Sequence, residues 1–351
     1  MSRLKQAIIR AGFEALYFSG AHALARPFLG GVGAILTLHS VRPPRRDRFQ
    51  PNRLLEVAPS FLENVIRRLR RSRVDLVSLD EMRRRLLEGD FSRRFVCLTF
   101  DDGYRDNRQW AYPILKRYDA PFAIYIPTSF PDHLGELWWL ALERVIAKCE
   151  RISLLIDGEA RHFPCATCDE KRSAYEAIYW KLRSLDEAEL RRVVRDLARR
   201  YGVDIEAICR EMCMPWSELA ELAADPLVTI GAHTVNHVML SKTDEQTARN
   251  EMRLSASVIE AALGRKPDHF SYPVGDPTSA GPREFRLAAE TGFKTAVTTR
   301  PGVLFPEHKD QLMALPRISL NGEYQRMRYV NVLLSGTATA CWNGFRRVNA
   351  D

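Results

Sequence analysis

The chain has no apolar run of the ~18 residues that a membrane-spanning helix needs, so no span is expected in it. No glycine-rich phosphate loop follows any of its strand-like runs, which removes nucleotide binding from consideration. Internal repeats and low-complexity tracts are missing too. Cysteine is sparse, odd in number at 7 and irregularly spaced, so a disulfide framework is not expected in 351 residues, and reduced thiols point to a cytoplasmic setting. Cys165 and Cys168 have the spacing of half a zinc ribbon. Cys209 and Cys213, however, stand four apart on a helix-like stretch, so all four are expected to be core or loop thiols. Acidic residues are in deficit: 44 Asp and Glu against 52 Lys and Arg give a net charge of +8. A basic surface favours anionic partners but specifies no fold. Without a recognition motif it does not indicate nucleic acid, and none is expected as a partner. Much of the arginine excess falls on Arg67–Arg71 and Arg83–Arg85, expected to be solvated helix faces.

What remains is an ordinary globular balance, 46% hydrophobic and 27% charged, in a length that suits one large domain or two smaller ones. Residues 1–33 form an N-terminal helical segment. Its early positive charge and its Ala11–Ala25 stretch resemble a signal peptide, and Ala21-His22-Ala23 imitates a cleavage site, but Glu14 and His22 interrupt the apolar run. An amphipathic helix docked on the domain or on a membrane surface is the expectation. Location is accordingly read as cytoplasmic or peripheral to a membrane.

Short β-rich runs then alternate with helical patterns. The runs are Ala34–His39, Leu76–Leu79, Phe95–Phe100, Phe122–Pro127, Val228–Gly231, His269–Tyr272, Thr295–Thr299 and Leu315–Leu320. Pro59–Arg71, Asn107–Tyr118, Asp244–Leu263 and Gly281–Thr291 read as helices between them. That alternation predicts a parallel α/β architecture, and the number of units predicts a barrel over residues 34–335. From about 131 to 225 the text is charged and mostly helical, an insertion on the barrel. The tail, 336–351, reads as irregular and basic.

Two strand ends carry the chemistry. Residues 98–103 run Leu-Thr-Phe-Asp-Asp-Gly: a hydrophobic strand, then Asp101 and Asp102, then a turn. Residues 231–237 run Gly-Ala-His-Thr-Val-Asn-His after another strand, with His233 and His237 at i and i+4, a metal-ligand spacing on one face of a helical turn. One Asp with two His makes a three-ligand site with open positions, the layout of a hydrolytic rather than a structural metal centre.

These residues resemble the polysaccharide deacetylases, the NodB-homology enzymes of carbohydrate esterase family 4. Thr99–Gly103 matches their Thr-Phe-Asp-Asp-Gly motif and His233–His237 their His-Ser/Thr-x-x-His motif. The resemblance implies a distorted (β/α)7 barrel and one divalent metal, zinc first among several, held by Asp102, His233 and His237. It also implies Asp101 as the general base toward the attacking water. The implied partner is an acetylated carbohydrate: an N-acetylglucosamine-containing polymer or oligosaccharide. Removal of O-acetyl groups is the alternative, and a catalytically weak glycan-binding barrel is the rival from another class.

The later motifs depart from the pattern. Where the family has Arg-x-Pro-x-Gly, this chain has Ser271-Tyr272-Pro273-Val274-Gly275. The backbone N–H of Val274 still qualifies as the oxyanion donor, with Tyr272 beside it as a substrate contact. The missing arginine, which would hold the base ionised, has a candidate replacement in Arg317 at the end of the last strand. The family's Asp-Trp pair is replaced by Thr298-Thr299-Arg300, and the histidine general acid is absent from Leu315–Leu320. His39, ending the first strand, is one candidate acid; a metal-ligand histidine doubling in that role is the other. Of the adjacent Trp138 and Trp139, which point apart on a helix, Trp138 is taken as the sugar-stacking candidate, with core packing as its competing role.

Overall fold

The computed structural model describes residues 3–156 and 159–350. Residues 1, 2 and 351 of the expected terminal segments, and 157 and 158 of the expected insertion, lie outside these. Seven parallel strands close a barrel: β1 (Gly33–Leu38), β2 (Phe95–Phe100), β3 (Phe122–Ile126), β4 (Val228–Ala232), β5 (His269–Ser271), β6 (Thr295–Pro301) and β7 (Leu315–Ser319). They follow one another around the ring in chain order. β1 closes it by pairing Ala34 with Val96 of β2 and Leu36 with Ile318 of β7. Every residue of β1, β2 and β3 is buried, as parallel strands must be when one face fills a barrel and the other lies under helices. The ring is distorted on its late side, where β5 is three residues long and the register slips between Val297 and Pro301.

The run at Leu76–Leu79 is not a barrel strand. Only Asp75–Leu76 pairs, against the start of β2, and β3 takes over that edge of β2 from Leu98 onward. The chain then turns into a helix, Leu79–Glu88, because Ser78 accepts a hydrogen bond from the Glu81 amide and caps it. Pro59–Arg71 is helical as expected, with Phe61, Leu62, Val65, Ile66 and Leu69 buried and its arginines outside.

The segment between β3 and β4 has a core of its own, including Leu142, Ile146, Ile178, Leu182, Val194 and Leu197. It is not helical throughout: Arg151–Ile156 and Glu159–Pro164 form an antiparallel hairpin. Cys165 and Cys209 are buried in this core, each with its thiol directed to a backbone carbonyl.

The chain ends pack together. Helix α1 (Arg3–Phe18) sets Phe13 5.1 Å from the ring of Tyr329 in the helix Met327–Leu334. Helix α2 (Ala21–Leu29) packs on a further helix, Thr337–Trp342, where an irregular tail was expected. Its start requires glycine: Gly336 is left-handed, and a Cβ there would lie 1.8 Å from the Leu29 carbonyl oxygen. No described helix is long and apolar enough to cross a membrane.

Candidate active site

At the end of β2, the Asp101 amide donates to the Leu38 carbonyl at 3.0 Å, so the first carboxylate is still registered to the sheet. The next two residues are left-handed, Asp102 at φ 71° and Gly103 at φ 63°. That turn sends the two buried carboxylates apart. A Cβ on Gly103 would lie 2.8 Å from Ile126.

Asp101 meets Arg317. Nη1 donates to Oδ1 at 2.8 Å and Nη2 to Oδ2 at 2.7 Å, a two-pronged pair with the arginine side chain wholly buried. The remaining guanidinium hydrogens go to the Thr298 carbonyl (2.8 Å), Thr99 Oγ1 (3.3 Å) and Ser271 Oγ (3.1 Å). Ser271 therefore stands where the family motif carries an arginine, and accepts from the arginine that reaches in from β7. Burial opposes ionisation of Asp101, but the Arg317 charge and hydrogen bonds outweigh it and hold the carboxyl well below the usual range. The Nε2 of His39 lies 3.9 Å from Asp101 Oδ2, and its side chain is 22% exposed, open to solvent where Arg317 is not. The backbone around His39 is pinned by the helical segment that follows the Asp102-Gly103 turn. Asn107 Nδ2 donates to the His39 carbonyl at 2.7 Å, and Asp106 accepts from Ser40 Oγ and from the Val41 amide. Burial pushes the Asp106 carboxyl up to about 6.

Asp102 meets the two histidines, with Oδ1 3.2 Å from His237 Nε2 and 3.6 Å from His233 Nε2. The histidines do not sit on a helical turn. Thr234 and His237 have φ of 66° and 56°, and this irregular loop brings the rings to 4.9 Å, edge to face. Two features fix it. Glu251, from the helix Glu245–Leu263, accepts from the Val235 and Asn236 amides and from the Asn236 side chain. His233 Nδ1 lies 2.6 Å from the Ser271 carbonyl, which only accepts, so Nδ1 carries the proton and Nε2 presents a lone pair. Burial pushes His233 down to about 4, keeping it neutral. Asp102 Oδ1 is a buried oxygen without a hydrogen-bond partner, and one ligand atom from each of Asp102, His233 and His237 lies within 4.8 Å of the others. The donor set and the orphaned oxygen fit a divalent cation.

Val274 has a left-handed backbone, φ 62°, and its carbonyl accepts from Thr299 Oγ1. The other two expected substrate contacts are not open. Tyr272 is fully buried, its hydroxyl donating to the Met313 carbonyl. Trp138 is 5% exposed and stacks on Tyr179 inside the insertion. Its neighbour Trp139 faces the site instead, 4.9 Å from the His237 ring, with Nε1 donating to Tyr104 Oη at 3.0 Å. Sequence reasoning chose Trp138 over Trp139 and missed Glu251 and Asp106. For Asp106, the only available signal was its place just after the Asp-Asp-Gly turn.

A family model for polysaccharide deacetylase matches residues 88–148 and 182–296, which include Asp101, Asp102, His233 and His237. The chain belongs to the polysaccharide deacetylase family. The chain is 23% identical over 231 residues to YxkH of Bacillus subtilis strain 168, a match covering 66% of this chain; it thus spans about half, 53%, of that relative. Its fold resembles the Streptococcus pyogenes deacetylase PplD, solved in complex with acetate, at a TM-score of 0.58 and 18% identity, covering 86% of this chain and 96% of that one. It also resembles a de-N-acetylase from Aggregatibacter actinomycetemcomitans at a TM-score of 0.54 and 14% identity, covering 86% and 99%. The stretch of the chain that the family model passes over, 149–181, holds the unexpected hairpin and most of the helix Cys168–Ser184.

Proposed function

We propose that the chain removes N-acetyl groups from an N-acetylglucosamine-containing polysaccharide or oligosaccharide, using one divalent metal, zinc, held by Asp102, His233 and His237. The observation that carries the reading is the paired, ionised Asp101 beside that cluster. Binding of a metal or a glycan alone has no use for such a carboxylate. The metal, when bound, supplies Lewis acidity to the acetyl carbonyl and to water.

The residues of the chain do the rest. Asp101 accepts a proton from the attacking water, and Arg317 keeps it able to do so. The backbone amide of Val274 donates to the oxyanion that develops on the acetyl oxygen. The departing amine needs a proton, and His39 beside Asp101 delivers it from the solvent-open side.

The test is mass spectrometry for acetyl loss across a panel of N-acetylated and O-acetylated glycans, with a chelator and with zinc restored. Loss from N-acetylated glycans only, abolished by chelation, supports the proposal. Loss confined to O-acetylated xylan would make the chain an esterase. No loss from any glycan that it binds would make it a binding barrel. His39→Gln is expected to slow amide hydrolysis about 10²-fold and to spare activated esters, whose leaving groups need no proton. Equal losses on both substrate types would make His39 structural.

A further inference from the structure

The two N-terminal helices carry apolar side chains that nothing in the described chain covers. On α1, Ile9, Phe13, Leu16 and Tyr17 pack toward Tyr329 and Val332. The opposite face repeats Ile8, Ala11, Ala15 and Phe18 at helical spacing, all exposed, with Ile8 at 63% and Phe18 at 75%. Helix α2 buries no residue at all, and its Leu24 (78%) and Phe28 (74%) stand one turn apart. Trp342 and Phe345, also exposed, belong to the C-terminal segment packed against it. Among the described residues, these two terminal segments supply six of the thirteen exposed large apolar side chains, and the other seven come from seven separate elements or loops.

The charge around them is mainly positive, although Glu323 pairs with Arg10 and Glu307 with Arg347. Residues 1–33 contain Arg3, Lys5, Arg10 and Arg26 against Glu14 alone, and Glu14 accepts hydrogen bonds from Arg328 and Tyr329. Residues 327–347 contain Arg328, Arg346 and Arg347 and no carboxylate. The cations fringe the apolar groups directly: Lys5 lies 5.8 Å from the Trp342 ring centroid and Arg328 5.9 Å from that of Phe18.

We propose that this face docks on the surface of an anionic lipid bilayer, with α1 and α2 lying in the interface and not crossing it. Large aromatic and aliphatic groups inserted at headgroup depth, with a basic fringe on the lipid charge, form the usual monotopic arrangement. A second copy of the chain would bring the same basic fringe against itself, so charge favours the lipid.

The full chain is tested by co-sedimentation with vesicles of phosphatidylcholine, alone or mixed with phosphatidylglycerol. Binding is expected to be at least about tenfold tighter to the mixed vesicles and to weaken as salt is raised. The triple variant Phe18→Ser, Leu24→Ser, Phe28→Ser should lose about tenfold or more of that binding, with its thermal midpoint and circular dichroism unchanged, since these side chains pack on little. Arg26→Gln, Arg346→Gln and Arg347→Gln combined should cost at least about tenfold on mixed vesicles only. No binding to mixed vesicles, or binding that the serine variant retains, overturns the proposal. So does a dimer, seen by sedimentation velocity without lipid binding, that the serine variant dissociates. None of these readouts depends on the deacetylase reaction.

Discussion

Asp101→Asn is expected to retain the metal and lose roughly 10²–10⁴-fold in turnover, the range over which a positioned general base acts. The amide preserves shape and can still accept from Arg317 Nη1. It has no basic oxygen for the water's proton, and its NH₂ would face Nη2, donor against donor. Stability should therefore fall as well, by about 1–3 kcal/mol for one unsatisfied buried group. Rates are best compared well below the lowered melting point, on a glycan whose acetyl loss is confirmed. Metal analysis on the same sample separates the two functions: full occupancy with lost turnover supports the assignment. Parental turnover in the asparagine variant would remove Asp101 from the chemistry.

Arg317→Met is expected to do more damage to the fold, by about 3–5 kcal/mol, because it strands a buried carboxylate without its cation. The pH dependence should change sign. In the parent the Asp101 carboxyl lies below its unfolded value near ~3.9, so the pair's contribution is complete above that pH and is lost as the pH falls through the lower folded value. In the variant burial acts alone and raises the carboxyl, so the contribution of Asp101 becomes a penalty that grows as the pH rises. Between pH ~4 and ~7, with a chelator present so that only side chains contribute, the Asp101 contribution to the thermal midpoint should be level for the parent and should decline for the variant. Parallel curves would mean that Arg317 does not hold Asp101 ionised. Arg317→Ala with added guanidinium is the control for a variant too unstable to titrate.

The barrel was legible because its strands are short β-rich runs that alternate with helical patterns along the chain. All seven appear within two residues of their expected ends. Asp101, Asp102, His233 and His237 were legible because their residue types and spacing are rare together. Other features depended on partners distant in sequence. The shape of the histidine loop is set by two left-handed residues and by Glu251, so i, i+4 spacing suggested a helix that does not form. The hairpin in the insertion lies among charged residues, and its second strand is exposed and carries no alternation of polar and apolar residues, so it was not marked as a strand. Adjacent tryptophans were correctly expected to diverge, but which one faced the site depended on Tyr104 and Tyr179. The last helix, Thr337–Trp342, exists because α2 is there to receive it.

Ring closure through β1 has a consequence for synthesis on the ribosome. Leu36 pairs with Ile318, so one edge of the first strand waits for a partner that emerges 282 residues later. At about 5–20 residues per second, that is roughly a quarter of a minute to a minute. For that interval the run Gly-Ala-Ile-Leu-Thr-Leu, buried in the finished barrel, presents unpaired backbone and apolar side chains, the combination that recruits stray strands. The nascent chain is therefore expected to be a chaperone client until β7 is released, and early termination anywhere before residue 315 should yield an aggregating product, not a smaller folded one.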